Sequence, residues 1–164
     1  LVWMPPDGNA QSYDKKHLFT LAREHTHYEP GSEKLIVEWE GWKICPLICY
    51  DLRFPVWSRN TENYDLLLYV ANWPEKRSDA WKILLQARAI ENQCYTIGVN
   101  RVGEDDNGHT YSGDTSVIDF TGKMLYRSSH VEQLATTSLN REELTNFRKK
   151  LNFLADRDKF KIID

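Results

Sequence analysis

The sequence has few features that would direct the protein to nucleic acid, to a membrane or to an oxidising compartment. Its 164 residues carry a net charge of −3, which gives no electrostatic reason to expect nucleic acid or an anionic membrane as a partner. No apolar run approaches the length of a membrane span. The three cysteines cannot all pair within the chain, and no Asn-x-Ser/Thr sequon is present. We therefore expect a reducing, cytoplasmic setting.

Recognisable cofactor motifs are lacking as well. The glycine-rich loop near residues 103–113 has neither the P-loop nor the dinucleotide fingerprint. Cys45 and Cys49 form a single cysteine pair in a run that should be buried, which does not favour zinc. An apolar content of 41% and a charged content of 27% are typical of a folded domain. These features predict one domain over residues 1–164 with neither metal nor cofactor.

The first residues have the pattern of a strand. The chain opens on Leu1-Val2-Trp3-Met4, without an initiator methionine. This pattern is typical of the middle of a domain. We expect that the domain lacks its amino-terminal segment, and that the missing part was removed or belongs to a second polypeptide.

Hydrophobic patterning predicts an α/β fold. Apolar runs and alternating stretches predict strands at residues 1–4, 11–13, 33–40, 42–48, 64–71, 94–100, 116–120, 123–127 and 132–139. Pro46 lies inside one of these runs, which predicts irregular pairing or a sheet edge there. Residues 101–114 are rich in Gly, Asp and Asn and are predicted to be a loop. The alternation of long apolar strands with a helix favours α/β layers over a sandwich or a barrel.

Two helices have start signals. Residues 78–92 form the clearest helical pattern, with Ser78 predicted as the N-cap. A second helix follows Asn140, with Glu143 three residues later in a capping-box arrangement.

Cys49 is the candidate nucleophile. It lies where the apolar run 44–48 becomes a polar turn that Pro55 closes, and such a position holds a side chain rigidly beside a surface cleft. The alternative is that Cys49 is a small buried hydrophobic residue, as free cysteines often are. A Cys–His dyad would need one of the histidines at positions 17, 25 and 27, and no sequence feature orients any of them.

Two lysines follow the second predicted strand. A lysine at such a position, here Lys15 or Lys16, can place its ammonium in a cleft and stabilise a developing oxyanion. The alternative for each is a solvated surface residue.

Ordered motifs along the chain resemble the nitrilase, or carbon–nitrogen hydrolase, superfamily. The resemblance rests on Tyr13-Asp14-Lys15-Lys16-His17-Leu18-Phe19, Glu24 before Glu29-Pro30-Gly31, Ile48-Cys49-Tyr50-Asp51-Leu52-Arg53-Phe54-Pro55, Ala71-Asn72-Trp73-Pro74, Gln86-Ala87-Arg88-Ala89-Ile90-Glu91-Asn92, Val99-Asn100-Arg101 and Ser112-Gly113-Asp114-Thr115-Ser116. Within the superfamily, the lysine motif, the pair Glu24-His25 and the closing Phe153-Leu154-Ala155-Asp156 are most similar to bacterial omega-amidases.

The resemblance implies a four-layer αββα sandwich, of which this chain is the larger, carboxy-terminal part, and a Glu–Lys–Cys site without a cofactor. It makes Cys49 the nucleophile, Lys15 the catalytic lysine and Glu24 the second, supporting glutamate. The general-base glutamate of the family precedes the lysine motif, and no residue of this chain matches it. By the same resemblance, Asn72 and Trp73 belong to the substrate site.

The implied activity is that of a thiol amidohydrolase that cleaves the terminal amide of a small carboxylate-bearing substrate such as 2-oxoglutaramate. Arg53 would clamp the substrate carboxylate bidentately, or it would form a structural ion pair with Asp51 or another carboxylate. The alternatives are an N-carbamoyl amide hydrolase and an inactive fragment with a role in assembly. The expected partners are the amide substrate, the missing segment and a second copy in a homodimer or larger oligomer.

Overall fold

A seven-stranded mixed sheet forms the centre of the chain. The computed structural model describes residues 1–163. Its strands are β1 (Val2–Trp3), β2 (Gln11–Ser12), β3 (Val37–Trp39), β4 (Trp42–Ile48), β5 (Leu66–Ala71), β6 (Tyr95–Asn100), β7 (Val102–Glu104), β8 (Thr110–Ile118) and β9 (Met124–Ser129). Its α-helices are α1 (Pro55–Ser58), α2 (Ser78–Asn92) and α3 (Arg141–Lys150). Among the described residues no helix is long and apolar enough to cross a membrane.

The sheet has the order β3-β4-β5-β6-β8-β7, and β9 pairs with the other side of β8. Strands β4, β5 and β6 are parallel and the remaining pairs are antiparallel. Strand β3 pairs only with residues 42–44 of β4. Pro46 therefore has no partner strand on that side, which confirms the predicted edge and fits a residue without an N–H donor. The short strands β1 and β2 pair with each other as an antiparallel hairpin.

One face of the sheet is covered by α2 and by the segment after β4. The core on this side is apolar and is formed by side chains that include Cys45, Leu47, Leu67, Tyr69, Trp81, Leu85, Ala89 and Ile118. Their positions follow from the strand register, because alternate residues of neighbouring strands point to the same face. This packing fixes the carboxyl end of β4, where Cys49 follows.

The opposite face is covered at one end only. There, α3 packs through Leu144 and Phe147 against Tyr95 and Phe120. Toward the carboxyl ends of the strands, Val70 and Val99 are neighbours in register and are 36% and 45% exposed. Parallel sheets are normally covered on both faces. Residues 1–163 thus build one large sheet with one incompletely covered face.

The α/β class is confirmed, and so are both predicted helices. Helix α2 has the predicted bounds, and the Asn140 side chain accepts a hydrogen bond from the Glu143 N–H at 3.1 Å. The N-cap assignment of Ser78 was wrong. Ser78 is the first helical residue, and its hydroxyl donates to the buried Asp114 carboxylate instead.

Two other local predictions were wrong. Residues 132–139 form no strand because they pair with no neighbour, and Leu134 is fully exposed. Residues 101–114 are not one loop, since they contain β7 and the start of β8, which pair across a tight connection. Positive φ at Gly103 and Gly113 accounts for glycines inside paired strands.

Candidate active site

Cys49 lies where β4 ends and a 3-10 turn, Cys49–Arg53, begins. Its φ is +44°, a conformation that is uncommon for a residue with a side chain. Strained backbone of this kind is concentrated at functional sites, where the surrounding structure enforces it. The Sγ atom lies 3.9 Å from the backbone oxygen of Asn72 at the end of the neighbouring strand. The sheet therefore presents the thiol at the carboxyl ends of its parallel strands, as the sequence predicted.

Lys15 and Glu24 form a close ion pair. The Lys15 Nζ and a Glu24 carboxylate oxygen are 2.6 Å apart, and the same oxygen accepts the Phe19 N–H at 2.7 Å. The Lys15 side chain is only 12% exposed. Glu24 reaches the lysine because the chain after β2 folds back through two 3-10 turns, Thr20–Ala22 and Glu24–Thr26.

Cys49, Lys15 and Glu24 line one cleft of about 770 Å³. The cleft is open to the uncovered sheet face, since Ile48 and Val70 form part of its wall. Its remaining polar and charged lining comes from Asn72, Lys76, Arg77, Asp105, Asn107, His109 and Tyr111. Three residues separated by up to 34 positions are thus brought together as the sequence predicted.

The electrostatics of the cleft oppose spontaneous ionisation of the thiol. Burial raises the pKa of Cys49, and the Lys15 ammonium and the hydrogen bond to Asn72 lower it only in part. The effect of burial on the pKa is thus larger than that of the Lys15 ammonium. Burial raises the pKa of Cys45 and of Cys94 to about 12. Of the three thiols, only Cys49 faces a cleft, and it needs a base to become a thiolate nucleophile at neutral pH.

The three residues predicted to bind substrate have different positions. Asn72 lines the cleft. Arg53 lies outside it, and its guanidinium stacks 4.7 Å from the centre of the Trp73 ring. Arg53 and Trp73 border a small adjoining cavity that also contacts Cys49 and Arg77. The Trp73 side chain is buried, and its indole N–H donates to the Arg77 carbonyl at 2.8 Å, so it forms a floor of the site.

The alternative arrangements considered from sequence are not formed. The alternative Arg53–Asp51 ion pair is not formed, because the Asp51 carboxylate is engaged by Tyr13, His17 and Ile48. The His17 ring contacts Asp51 and stacks on Phe54, so it is not paired with the thiol. Within the described part of the chain, no group of three His, Cys, Asp or Glu side chains has the arrangement of a metal site.

Sequence reasoning missed the second wall of the cleft. The 3-10 turn Glu75–Arg77 contributes two cations, and the connection between β7 and β8 contributes Asp105 and His109. Only the order Asn72-Trp73-Pro74 hinted that the residues after β5 belong to the site. The contribution of the β7–β8 connection depends on sheet order, which no local motif encodes.

A family model described as carbon-nitrogen hydrolase matches residues 1–149. The chain is 51% identical over 160 residues to "Omega-amidase YafV" of Yersinia enterocolitica, covering 96% of this chain and 62% of that protein. It is 36% identical over 148 residues to "2-oxoglutaramate amidase" of Bacillus subtilis (strain 168), and the match covers 89% of this chain and 57% of that protein. The chain therefore spans about three fifths of the length of these curated relatives.

Solved structures agree with this assignment. The crystal structure of XC1258 from Xanthomonas campestris, a CN-hydrolase superfamily protein with an arsenic adduct in its active site, superposes with a TM-score of 0.96 at 47% identity. It matches 99% of this chain and 64% of that one. A second match is a glutamate-to-glutamine variant of the amidase from Nesterenkonia sp. AN1, which carries the acetamide moiety of fluoroacetamide on its active-site cysteine. It gives a TM-score of 0.68 at 26% identity, and the match covers 75% of this chain and 48% of that one. The chain belongs to the carbon–nitrogen hydrolase family.

Proposed function

We propose that the protein is a thiol amidohydrolase that cleaves the terminal amide of a small carboxylate-bearing substrate to an acid and ammonia. The observation that supports this most is the convergence of Cys49, Lys15 and Glu24 on one cleft. Relatives named omega-amidase and 2-oxoglutaramate amidase support the substrate class. The proposed reaction uses no cofactor.

The chemistry follows from the residue types. The Cys49 thiolate attacks the amide carbonyl and forms a tetrahedral oxyanion, which the Lys15 ammonium stabilises. Collapse of this intermediate breaks the C–N bond, and the nitrogen leaves as ammonia after it takes up a proton. Water then attacks the thioester, releases the carboxylic acid and returns the proton to the thiol. Glu24 holds the lysine in place through the 2.6 Å ion pair.

The described residues leave the reaction without a free carboxylate base. Only two carboxylates of residues 1–163 line the cleft, and both are engaged. Glu24 binds Lys15, and Asp105 accepts hydrogen bonds from the Tyr111 hydroxyl and from the backbone of Asn107 and His109. Hydrogen bonds from His109, Tyr111 and Asn107 also lower the pKa of Asp105, which makes it a poor base.

We infer that a further polypeptide segment supplies a general-base glutamate and covers the open face at Val70 and Val99. The exposed apolar face and the coverage of about three fifths of the relatives support this. A structure of the natural protein with every polypeptide traced tests it. The expected result is a glutamate within hydrogen-bond distance of the Cys49 Sγ. An open sheet face and no added carboxylate in that structure would contradict it.

Arg53 is proposed to bind the substrate carboxylate, since it lies over Trp73 beside the cavity that contacts Cys49. Arg53→Lys should raise KM or lower kcat/KM for acidic amides and change neutral amides much less, because lysine cannot reproduce the planar guanidinium fork. Arg77→Lys is a matched comparison, because Arg77 is an arginine that borders both the cleft and the small adjoining cavity. Equal losses on both substrate types would assign Arg53 a structural role in the Trp73 stack.

An N-carbamoyl amide hydrolase and an inactive fragment are the competing functions. Ammonia release from a panel of amides separates them. Release from omega-amides alone supports the proposal, release from N-carbamoyl substrates supports the first alternative, and no release from any amide supports the second.

We also propose a cytoplasmic homodimer. Its support is three free cysteines and exposed apolar side chains near the end of the chain, Phe160 and Ile163. Sedimentation of the natural protein at micromolar concentration tests the dimer.

A further inference from the structure

A single buried carboxylate connects the two segments that carry the lysine and the nucleophile. Asp51 is completely inaccessible to solvent. Its Oδ2 atom accepts the Tyr13 hydroxyl at 2.7 Å and the Ile48 N–H at 3.1 Å. Its Oδ1 atom accepts the His17 N–H at 3.0 Å and lies 2.9 Å from the His17 Nδ1 atom. The Tyr13 hydroxyl and the two backbone N–H groups are donors, so the group at this position has to be an acceptor on both of its oxygens.

The hydrogen-bond partners of Asp51 lie on either side of Lys15 and directly before Cys49. Tyr13 and His17 lie two residues before and two residues after Lys15, so both ends of the lysine loop are held by the same carboxylate. Ile48 directly precedes Cys49, and Asp51 belongs to the turn that Cys49 begins. The carboxylate therefore fixes the lysine segment relative to the thiol segment.

Further contacts make this connection rigid. The Tyr13 hydroxyl also accepts the indole N–H of Trp57 at 2.9 Å and the Lys16 N–H at 3.2 Å. The His17 ring stacks on Phe54, with centroids 3.6 Å apart and planes 3° from parallel. A side chain whose partners are all fixed in this way keeps a nearby catalytic group in register.

We propose that Asp51 is the positioning residue that sets the distance between the Lys15 ammonium and the Cys49 thiol. This rests on the proposed function only for the roles of Lys15 and Cys49. The position requires a carboxylate, because the NH₂ group of an asparagine would face a donor on either side. One of its two sides, the His17 side or the Tyr13 and Ile48 side, would then be released.

The rate of Cys49 alkylation by iodoacetamide as a function of pH tests the proposal on the intact natural protein. Asp51→Asn should raise the pH midpoint of alkylation, because the thiolate loses its nearby ammonium and this outweighs the loss of the Asp51 charge, which together with Glu24 raises the pKa of Cys49. Ile118→Val is the control for stability alone, since Ile118 is fully buried in the core away from the cleft. It should lower Tm without moving the midpoint. Alkylation needs no amide turnover, so this result does not depend on whether the protein is an amidase.

A double-mutant cycle separates positioning from a general structural role. If Asp51 acts through Lys15, Asp51→Asn should raise the midpoint in the wild-type background only. In a Lys15→Met background it should lower the midpoint slightly, since only the direct loss of the Asp51 charge, which itself raises the pKa of Cys49, remains. Equal shifts in both backgrounds, or no shift in either, would overturn the proposal. Tyr13→Phe and His17→Phe each remove one side-chain contact to Asp51 and keep an aromatic ring. They should give smaller shifts of the same sign, and they carry the test if Asp51→Asn fails to fold.

Discussion

Gly31→Ala should impair catalysis although Gly31 lies outside the cleft. The Gly31 N–H donates to the Lys15 carbonyl at 2.9 Å, so the two segments are in direct backbone contact. A Cβ atom at position 31 would lie 2.2 Å from the Asp14 carbonyl oxygen and 2.8 Å from its carbonyl carbon. Both are backbone atoms that no rotamer change can move. The substitution therefore has to push the segment that carries Lys15 away.

The size of the effect follows from this geometry. Ordinary van der Waals contact begins at about 3.4 Å, so the two backbones have to separate by roughly 1 Å. A displacement of this size at a catalytic group costs on the order of 10²-fold in rate. This is about 2.7 kcal/mol of lost transition-state stabilisation. Overpacking of a tight site also lowers the free energy of unfolding by about 1–3 kcal/mol.

Steady-state kcat/KM for an omega-amide, corrected for the folded fraction, measures the effect. Gly98→Ala is the matched control, because its Cβ would lie 2.4 Å from Leu85 and 2.7 Å from Trp81, in the core under the sheet. We expect similar losses of Tm for both variants and about 100-fold lower kcat/KM for Gly31→Ala alone. If Gly31→Ala keeps wild-type kcat/KM, the link between lysine position and rate is refuted.

Two further predictions concern the thiols and acid stability. Cys49→Ala should abolish turnover, whereas Cys45→Ala and Cys94→Ala should lower Tm but keep most of the kcat per folded molecule, since both thiols are buried; comparable kinetic losses in all three would mean that the nucleophile is misassigned. The second prediction concerns Asp114. Burial raises the pKa of Asp114, but hydrogen bonds outweigh it and hold the pKa well below its usual range; the donors are Ser129, Ser78, Ser112 and Arg127. Its stabilisation is thus present above the unfolded pKa of about 3.9 and is lost as the pH falls toward the folded value. Asp114→Asn should be less stable at pH 7 and should lose less stability on acidification, and an unchanged acid dependence in urea titrations would contradict this.

The features predicted well from sequence are those with a local cause. The apolar run before Cys49 and the polar turn after it specify a strand end, and the structure has both. Helix α2 and the Asn140 cap were likewise predictable, because capping and periodicity act within a few residues. The cleft residues Lys15 and Glu24 were found through the resemblance to a family, since no local pattern places a turn-borne glutamate on a particular lysine.

The failures have long-range causes. Ser78 has the right residue type for an N-cap, but the buried Asp114 competes for its hydroxyl. Asp51 and Arg53 are close in sequence and opposite in charge, yet Asp51 binds Tyr13 and His17 from a segment more than 30 residues away. Burial of Cys49 depends on the whole sheet, so no local sequence pattern predicts that burial raises the pKa of the thiol more than Lys15 lowers it.

The central claim is that Cys49 forms a covalent thioester with the acyl part of an amide. Its most direct test is rapid acid quenching of the natural protein during turnover of an omega-amide, followed by mass spectrometry of the intact protein and of its peptides. We predict an added mass equal to the acyl group less one hydrogen, located on the peptide that contains Cys49 and formed together with the first equivalent of ammonia. An acyl group on another residue, or ammonia release at full rate from Cys49→Ala, would contradict the account.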